Sequence, residues 1–514
     1  MRATEAPAGA PPQRQLLFNA VAAVVYTTAQ TAVGLGVYAY LIRALGAEVV
    51  GVWVSLMAVG MIACMSDLAL NQALVRLVAL SRHQPSGPSS AAVTMETLLL
   101  STAMVVGLAF TLAYISFDVW SGWLRLEHQH ALLAQSLLPW MCAGLWLNRL
   151  ADAAGGALEG LQWYVARCTA GTVAFLMGLT LTVLLVPHWG LLGAAMSFTI
   201  QNAFVLLVNL VLLHKAQPDV RWWRPRFRRS ILTEAIRYGT SLQGMVLAYA
   251  LLESGCKLLL TRHGFLAAAS YFDLAFRIGK GLRGLLASAL RVLVPRIVTR
   301  LHIEGHPQAI YASSFLLVTS IAIPMYTAVL ASADLMSWLI VGVIDPQFSL
   351  ILILACAPWL AYCFIDPALN HAMAIGRMGW AFRGHVIKVV LAGLIVLALP
   401  HQATPGVVVA AVALSMVAGC AWMLLMAHRH ERLSWEALAP LATITTLVAS
   451  VAVIIWSTLD THHWSHAQQQ WHAVSRGVLL VALPACILLL HPGGQRILSV
   501  WRGLRSPVAH EAGA

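Results

Sequence analysis

Arg277, Lys280, Arg283 and Arg291 follow one another through an otherwise apolar stretch of the chain, with Asp273 one helical turn ahead of the first. At about 100° per helical residue, and taking Arg277 as zero, Lys280 falls at about 300°, Arg283 at about 240° and Arg291 at about 320°, so the four share a stripe roughly 120° wide. Asp273, four residues before Arg277, lies on the same stripe and is spaced to pair with it. A guanidinium presents a planar fork that matches two phosphate or carboxylate oxygens and does not discharge by losing a proton, whereas Lys280 supplies a compact charge that can. The chemistry implied is the binding of an anion, and a diphosphate fits it well. Lys257, four residues after Glu253, is a fifth candidate cation, spaced for pairing or snorkelling. Asp67 with Asn71 one turn on, together with Glu253 and Asp273, supplies candidate polar or ion-coupling groups.

Composition says what must carry these side chains. Of 514 residues, 60% are hydrophobic and 10% charged, with mean hydropathy +0.77, against about 25% charged in an ordinary soluble domain. The chain reads as an all-α integral membrane protein. Apolar stretches bounded by polar or Gly/Pro punctuation predict about fourteen transmembrane helices near 16–41, 49–74, 95–117, 132–154, 165–186, 191–213, 241–260, 266–294, 311–331, 349–373, 386–399, 407–426, 438–456 and 474–490. With both termini inside, 22 of the 32 Lys and Arg residues fall in cytoplasmic segments and four outside, leaving six within the membrane: the five above and Lys388. The excess of +12 is thereby a topology signal, and nucleic acid is not needed as a partner. A charge at mid-bilayer costs about 2.5–3.5 kcal/mol, so the cationic stripe is expected to line a hydrated interior. A competing reading makes Leu266 to Arg283 an outer surface segment and starts the helix at Gly284. That moves Arg291 and Arg296 into the membrane and leaves the cost in place.

The organisation expected is a cytoplasmic tail (1–15), an N-lobe of six spans (16–214), a basic cytoplasmic linker (215–237), a C-lobe of six spans (238–427), two additional helices (428–491) and a second cytoplasmic tail (492–514). The linker's Arg221-Trp222-Trp223-Arg224-Pro225-Arg226-Phe227-Arg228-Arg229 run would suit the headgroup region of a membrane, with a plain inter-lobe connection as the simpler account. A short repeat supports two lobes: Arg43-Ala44-Leu45-Gly46 is followed by Gly51 and Trp53, and Arg262-His263-Gly264 by Tyr271, with the same glycine-to-aromatic spacing. Asp366, just before Pro367, is expected at a helix break, where its carboxylate could cap freed backbone. The eight cysteines lie in or beside apolar runs with no metal-ligand spacing, and the His462, His463, His466 and His472 cluster reads as a solvated outer loop. No nucleophile elbow, phosphate-cradling loop or paired-carboxylate pattern stands out, so neither an enzyme nor a cofactor or metal is expected.

The chain resembles the Wzx-type lipid-linked oligosaccharide flippases of the MOP superfamily, which also holds lipid II flippases and the MATE multidrug exporters. The resembling residues are Arg43-Ala44-Leu45-Gly46 with Gly51-Val52-Trp53, then Ser66-Asp67-Leu68-Ala69-Leu70, the turn Ala157-Leu158-Glu159-Gly160-Leu161-Gln162, and Pro295 near the end of the eighth span. Ala69 and Trp163 depart from the family pattern, which has glycine and a basic residue there. The resemblance implies two pseudo-symmetric six-helix lobes plus two C-terminal helices and an alternating-access cavity. Its implied substrate is an undecaprenyl-diphosphate-linked repeat unit, moved from the cytoplasmic to the periplasmic leaflet of a bacterial inner membrane for O-antigen or exopolysaccharide assembly. The implied partners are that glycan, membrane lipids, and the pathway's polymerase and chain-length regulator.

Two other readings compete. A MATE-like cation antiporter would want carboxylates where this sequence places cations. An integral-membrane polymerase or ligase would want a large outer domain, whereas the outer loops here are short.

Overall fold

The computed structural model describes residues 13–67, 70–81, 90–221, 225–291, 307–375, 379–400 and 403–431, with Val451 and Trp471. Every regular element among the described residues is helical. They are α1 (Gln13–Leu45), α2 (Ala47–Cys64), α3 (Leu70–Ser81), α4 (Ala91–Ile115), α5 (Phe117–Leu124), α6 (His128–Gly160), α7 (Tyr164–Trp189), α8 (Leu191–Ala216), α9 (Arg229–Arg262), α10 (Leu266–Arg291), α11 (Pro307–Ala331), α12 (Ala333–Val341), α13 (Pro346–Ile375), α14 (Gly379–Ala398) and α15 (Pro405–Glu431). Helices satisfy their own backbone hydrogen bonds, which is what an apolar solvent demands of a spanning segment. Among the described residues, nine helical stretches are long and apolar enough to cross a membrane. Helices α6, α9 and α10, of 33, 34 and 26 residues, are long enough but carry more charge.

Each of the first twelve expected spans falls on a helix; the last two, near 438–456 and 474–490, lie outside the described residues, as do the outer histidine cluster and Pro295. Three details differ from expectation. The second span is not one rod: α2 ends at Cys64, a tight 3₁₀ turn covers Met65–Asp67, and the Asp67 Oδ1 accepts the Leu70 N–H at 3.1 Å where α3 begins. Asp67 thus caps a helix start, a use its carboxylate suits. The expected break at Asp366 is absent, since α13 runs unbroken through Pro358 and Pro367. Short helices α5 and α12 occupy stretches where no helix was expected.

The chain divides into two compact units, residues 1–270 and 271–514, with the division inside α10. In the first, α8 packs along α6 and α7, α1 lies on α7, α3 and α4 lie on α6, and α9 lies on α2 and α3. The core there is built from Leu74, Leu77 and Val78 of α3, Met95 and Leu98 of α4, and Ala153, Ala154 and Ala157 of α6. The two glycine turns of the sequence repeat both have positive φ, +87° at Gly46 and +80° at Gly264, a range open to glycine at little cost. Gly51 has a different reason to be glycine. A Cβ there would run into the Leu266 carbonyl, so the missing side chain is what lets α2 meet the start of α10. Trp53, one half-turn on, is buried edge-on against Phe198.

In the second unit, α13 packs against α11, α12 and α15, and α14 lies along α15. Helix α10 is continuous from Leu266 to Arg291, with no helix start at Gly284. It is fixed to α11 and α13 by the Tyr326 hydroxyl, which donates to the Gly279 carbonyl at 2.7 Å, and by the Cys356 thiol against the Ala275 carbonyl at 3.0 Å. Phe276 buries against Trp359 of α13, the rings edge-to-face at 5.0 Å, and Phe272 packs on Phe276 at 5.3 Å.

Candidate functional site

The charged residues of α10 do not share one environment. Arg277 donates through Nε to Asp273 Oδ2 at 2.7 Å, the pairing that the four-residue spacing predicts. Asp273 is buried while Arg277 is exposed, and Lys280 is exposed as well. Arg291 ends the helix, and its side chain is outside the described residues.

Arg283 is held on several sides. Its Nε and Nη2 donate to the two oxygens of Asp366 on α13 at 3.1 and 2.6 Å, a two-point fork. Its Cζ lies 3.9 Å from the centre of the Tyr362 ring, one turn before Asp366 on α13. The same ring carries a second cation, since the Lys388 ammonium of α14 lies 4.1 Å from its centre. The Tyr362 hydroxyl and His385 Nε2 are hydrogen-bonded at 3.1 Å. Lys388 is 3% exposed and its Nζ finds no hydrogen-bond partner among the described residues; the Cys420 thiol of α15, a weak acceptor, lies beside it. Lys388 is thus enclosed among its helices and does not reach out to the surface. Two cations against one ring with one carboxylate is an arrangement short of negative charge. The ring itself supplies some, through its quadrupole.

In the first unit, Lys257 Nζ meets Glu253 Oε1 at 2.7 Å and is 4% exposed. The structure thus keeps Lys257 and Glu253 as a buried pair on α9. Asn71 of α3 is half-buried with its Oδ1 lacking a partner among the described residues, close to Gly156 of α6.

Three polar arrangements escaped the sequence reading. His385, Tyr362 and Cys420 join the Arg283 cluster from stretches that look like plain apolar span. Arg149, sorted by sequence among cytoplasmic residues, sits inside α6 about three turns before its end, paired with Asp152 at 3.1 Å and donating to Asn148. Glu96, buried in the first turns of α4, receives Arg221 N–H, Arg226 N–H, and Arg226 Nε and Nη2, all at 2.6–2.9 Å. The basic linker is therefore tied to α4 at Arg221 and Arg226, and the hydrogen bonds it donates to Glu96 hold the Arg226 guanidinium above its ordinary pKa. An acid one turn into an apolar run was the available signal.

Among the described residues, no group of three or more His, Cys, Asp and Glu side chains is placed to hold a metal ion. No protein-family model matches the chain, and no curated protein matches it by sequence. Solved structures do match, at low identity. The lipid II flippase MurJ in its inward closed conformation aligns at TM-score 0.70 and 12% identity, over 92% of this chain and 99% of that one. An inward-facing multidrug resistance MATE family transporter of the MOP superfamily aligns at TM-score 0.59 and 14% identity, over 84% and 96%. An outward-facing structure of a MATE family transporter aligns at 0.52 and 16%, over 88% and 98%. Fold and apolar helices together define a multi-pass, all-helical membrane protein. Its fold is the one shared by MurJ and the MATE transporters.

Proposed function

We propose that the protein is a flippase of the Wzx type, moving an undecaprenyl-diphosphate-linked oligosaccharide from the cytoplasmic to the periplasmic leaflet of a bacterial inner membrane by alternating access. The observation that carries the reading is Arg283. Its guanidinium already grips a pair of carboxylate oxygens in the geometry that a phosphate would offer, on the α10 stripe that also presents Arg277 and Lys280. The fold likeness to a lipid II flippase supports the same class of work. On this reading Arg277, Lys280, Arg283, Arg291 and Lys257 are the expected diphosphate-binding cations, and Asp67, Asn71, Glu253 and Asp273 the expected polar or ion-coupling groups. The expected partners are the lipid-linked glycan, membrane lipids and the polymerase with its chain-length regulator.

A cation exporter of the MATE kind shares the fold but fits the charges less well. Glu253, Asp273 and Asp366 are each engaged by a cation of this chain, and Lys388 adds positive charge with no acid paired to it among the described residues.

The deciding experiment is deletion of the gene followed by mass analysis of undecaprenyl-linked intermediates. Complete repeat units should accumulate, and Arg283→Ala or Arg277→Ala should fail to clear them while inserting normally. Drug sensitivity without accumulated intermediates would favour the exporter. Normal surface glycan in both point variants would remove the anion site.

A further inference from the structure

The bidentate Arg283–Asp366 pair raises a difficulty for any anion that would use Arg283, because both donors facing Asp366 are taken. A diphosphate must displace that carboxylate, and a carboxylate released without a counter-charge inside an apolar bundle is costly. The structure holds a cation suited to receive it. Lys388 is buried, 4.1 Å from the centre of the Tyr362 ring that also carries Arg283, one turn before Asp366, and without a hydrogen-bond partner among the described residues. The polar groups around it are the Cys420 thiol from α15, Tyr362 and Asp366 from α13, Arg283 from α10 and His385 on its own helix.

We propose that Asp366 is a two-position internal anion: it occupies the Arg283 fork when no cargo is bound, and passes to Lys388 when the diphosphate of the lipid-linked substrate takes Arg283. The proposal rests on the flippase reading and gives the site its regulation. Charge is conserved at each stage. Before loading, Asp366 neutralises Arg283 and Lys388 relies on the Tyr362 ring; after loading, the diphosphate neutralises Arg283 and Asp366 neutralises Lys388. Lys388 thereby stabilises the loaded state without touching the cargo, acting as a positioning residue for Asp366. Tyr362, in contact with both cations, is the fixed divider between the two positions.

The test measures binding of undecaprenyl diphosphate to the purified full-length protein in nanodiscs, with undecaprenol as the uncharged control. Asp366→Asn removes the competitor, so diphosphate binding should tighten, by roughly 5- to 150-fold for a coupling of ordinary size, while undecaprenol binding stays constant. Lys388→Met removes the receiving cation, so diphosphate binding should weaken by a factor in the same range. It also exchanges a buried charge for an apolar side chain of similar length, so it serves if Asp366→Asn fails to fold. Arg283→Gln should abolish the diphosphate preference. If Arg283→Gln loses binding but Asp366→Asn binds no tighter, or Lys388→Met binds as the wild type does, the switch is overturned and the anion site stands. If wild type and Arg283→Gln bind undecaprenyl diphosphate alike, the flippase reading falls and the switch with it.

Discussion

Arg283 and Lys257 are both buried-side cations in ion pairs, yet their pairs differ in what they leave open. Lys257 and Glu253 lie four apart on one helix, and both are largely shielded, so the pair can form without any other element. That is the signature of a charge satisfied locally. Glu253→Gln should destabilise the protein in detergent by about 3 kcal/mol by stranding the ammonium, whereas Glu253→Leu with Lys257→Met should fall within about 1 kcal/mol of wild type. Thermal unfolding of the two variants beside the wild type checks it, and export retained in the double variant would remove Lys257 from the substrate ligands. Arg283 instead bridges two helices and keeps a quarter of its side chain accessible. Arg283→Lys preserves the charge but loses one arm of the fork. With a charge-assisted hydrogen bond worth about 1.5–3 kcal/mol, export should fall about tenfold or more despite the conserved charge. Surface glycan in Arg283→Lys indistinguishable from wild type would show that charge alone matters there.

At the scale of elements, the clamp between α4 and the basic linker is the connection most open to test. Glu96 is buried and takes two backbone N–H groups and the guanidinium of Arg226, while Thr97 accepts from the Arg228 N–H and donates to the Arg226 carbonyl. Glu96→Gln keeps the size of the side chain but loses the charge, at a cost of about 2 kcal/mol or more. The linker should then open, and trypsin should cut among Arg221, Arg226, Arg228 and Arg229 at least about tenfold faster, because cleavage follows the population of the opened state. An unchanged cleavage rate would mean the linker is held by other contacts. The clamp also marks where sequence reading stops. Hydropathy located the helices, because a span of ~20 apolar residues is a composition signal, and the four-residue spacing gave Asp273–Arg277 and Glu253–Lys257. Arg283–Asp366 joins residues 83 apart and Glu96–Arg226 residues 130 apart. Nothing local encodes either partner. Asp67 was visible as an acid in a span but not as a cap, since the turn it serves lies inside an unbroken apolar run.

For the molecule as a whole, the charge of the cargo has an energetic consequence that depends only on orientation. On the proposed orientation, with both termini in the cytoplasm, cysteine labelling should find a position near Lys215 cytoplasmic and one near His463 periplasmic. With that orientation, a complete cycle returns every protein charge to its starting place, so only the cargo's charge is displaced across the membrane. Each negative charge exported against an inside-negative potential gains about 2.3 kcal/mol per 100 mV. A diphosphate diester carries roughly two negative charges, which at 100 mV amounts to about 4.6 kcal/mol. In proteoliposomes with an imposed potassium diffusion potential, the steady-state ratio of lipid-linked diphosphate between leaflets should then change tenfold for about every 30 mV. Inside-negative potentials should drive it outward, and reversing the potential should reverse the drift. A ratio that ignores the potential would mean that another ion moves with the cargo and cancels its charge. A neutral lipid-linked sugar, carried at all, should show no such slope, which separates a voltage effect on the cargo from one on the protein's own arginines.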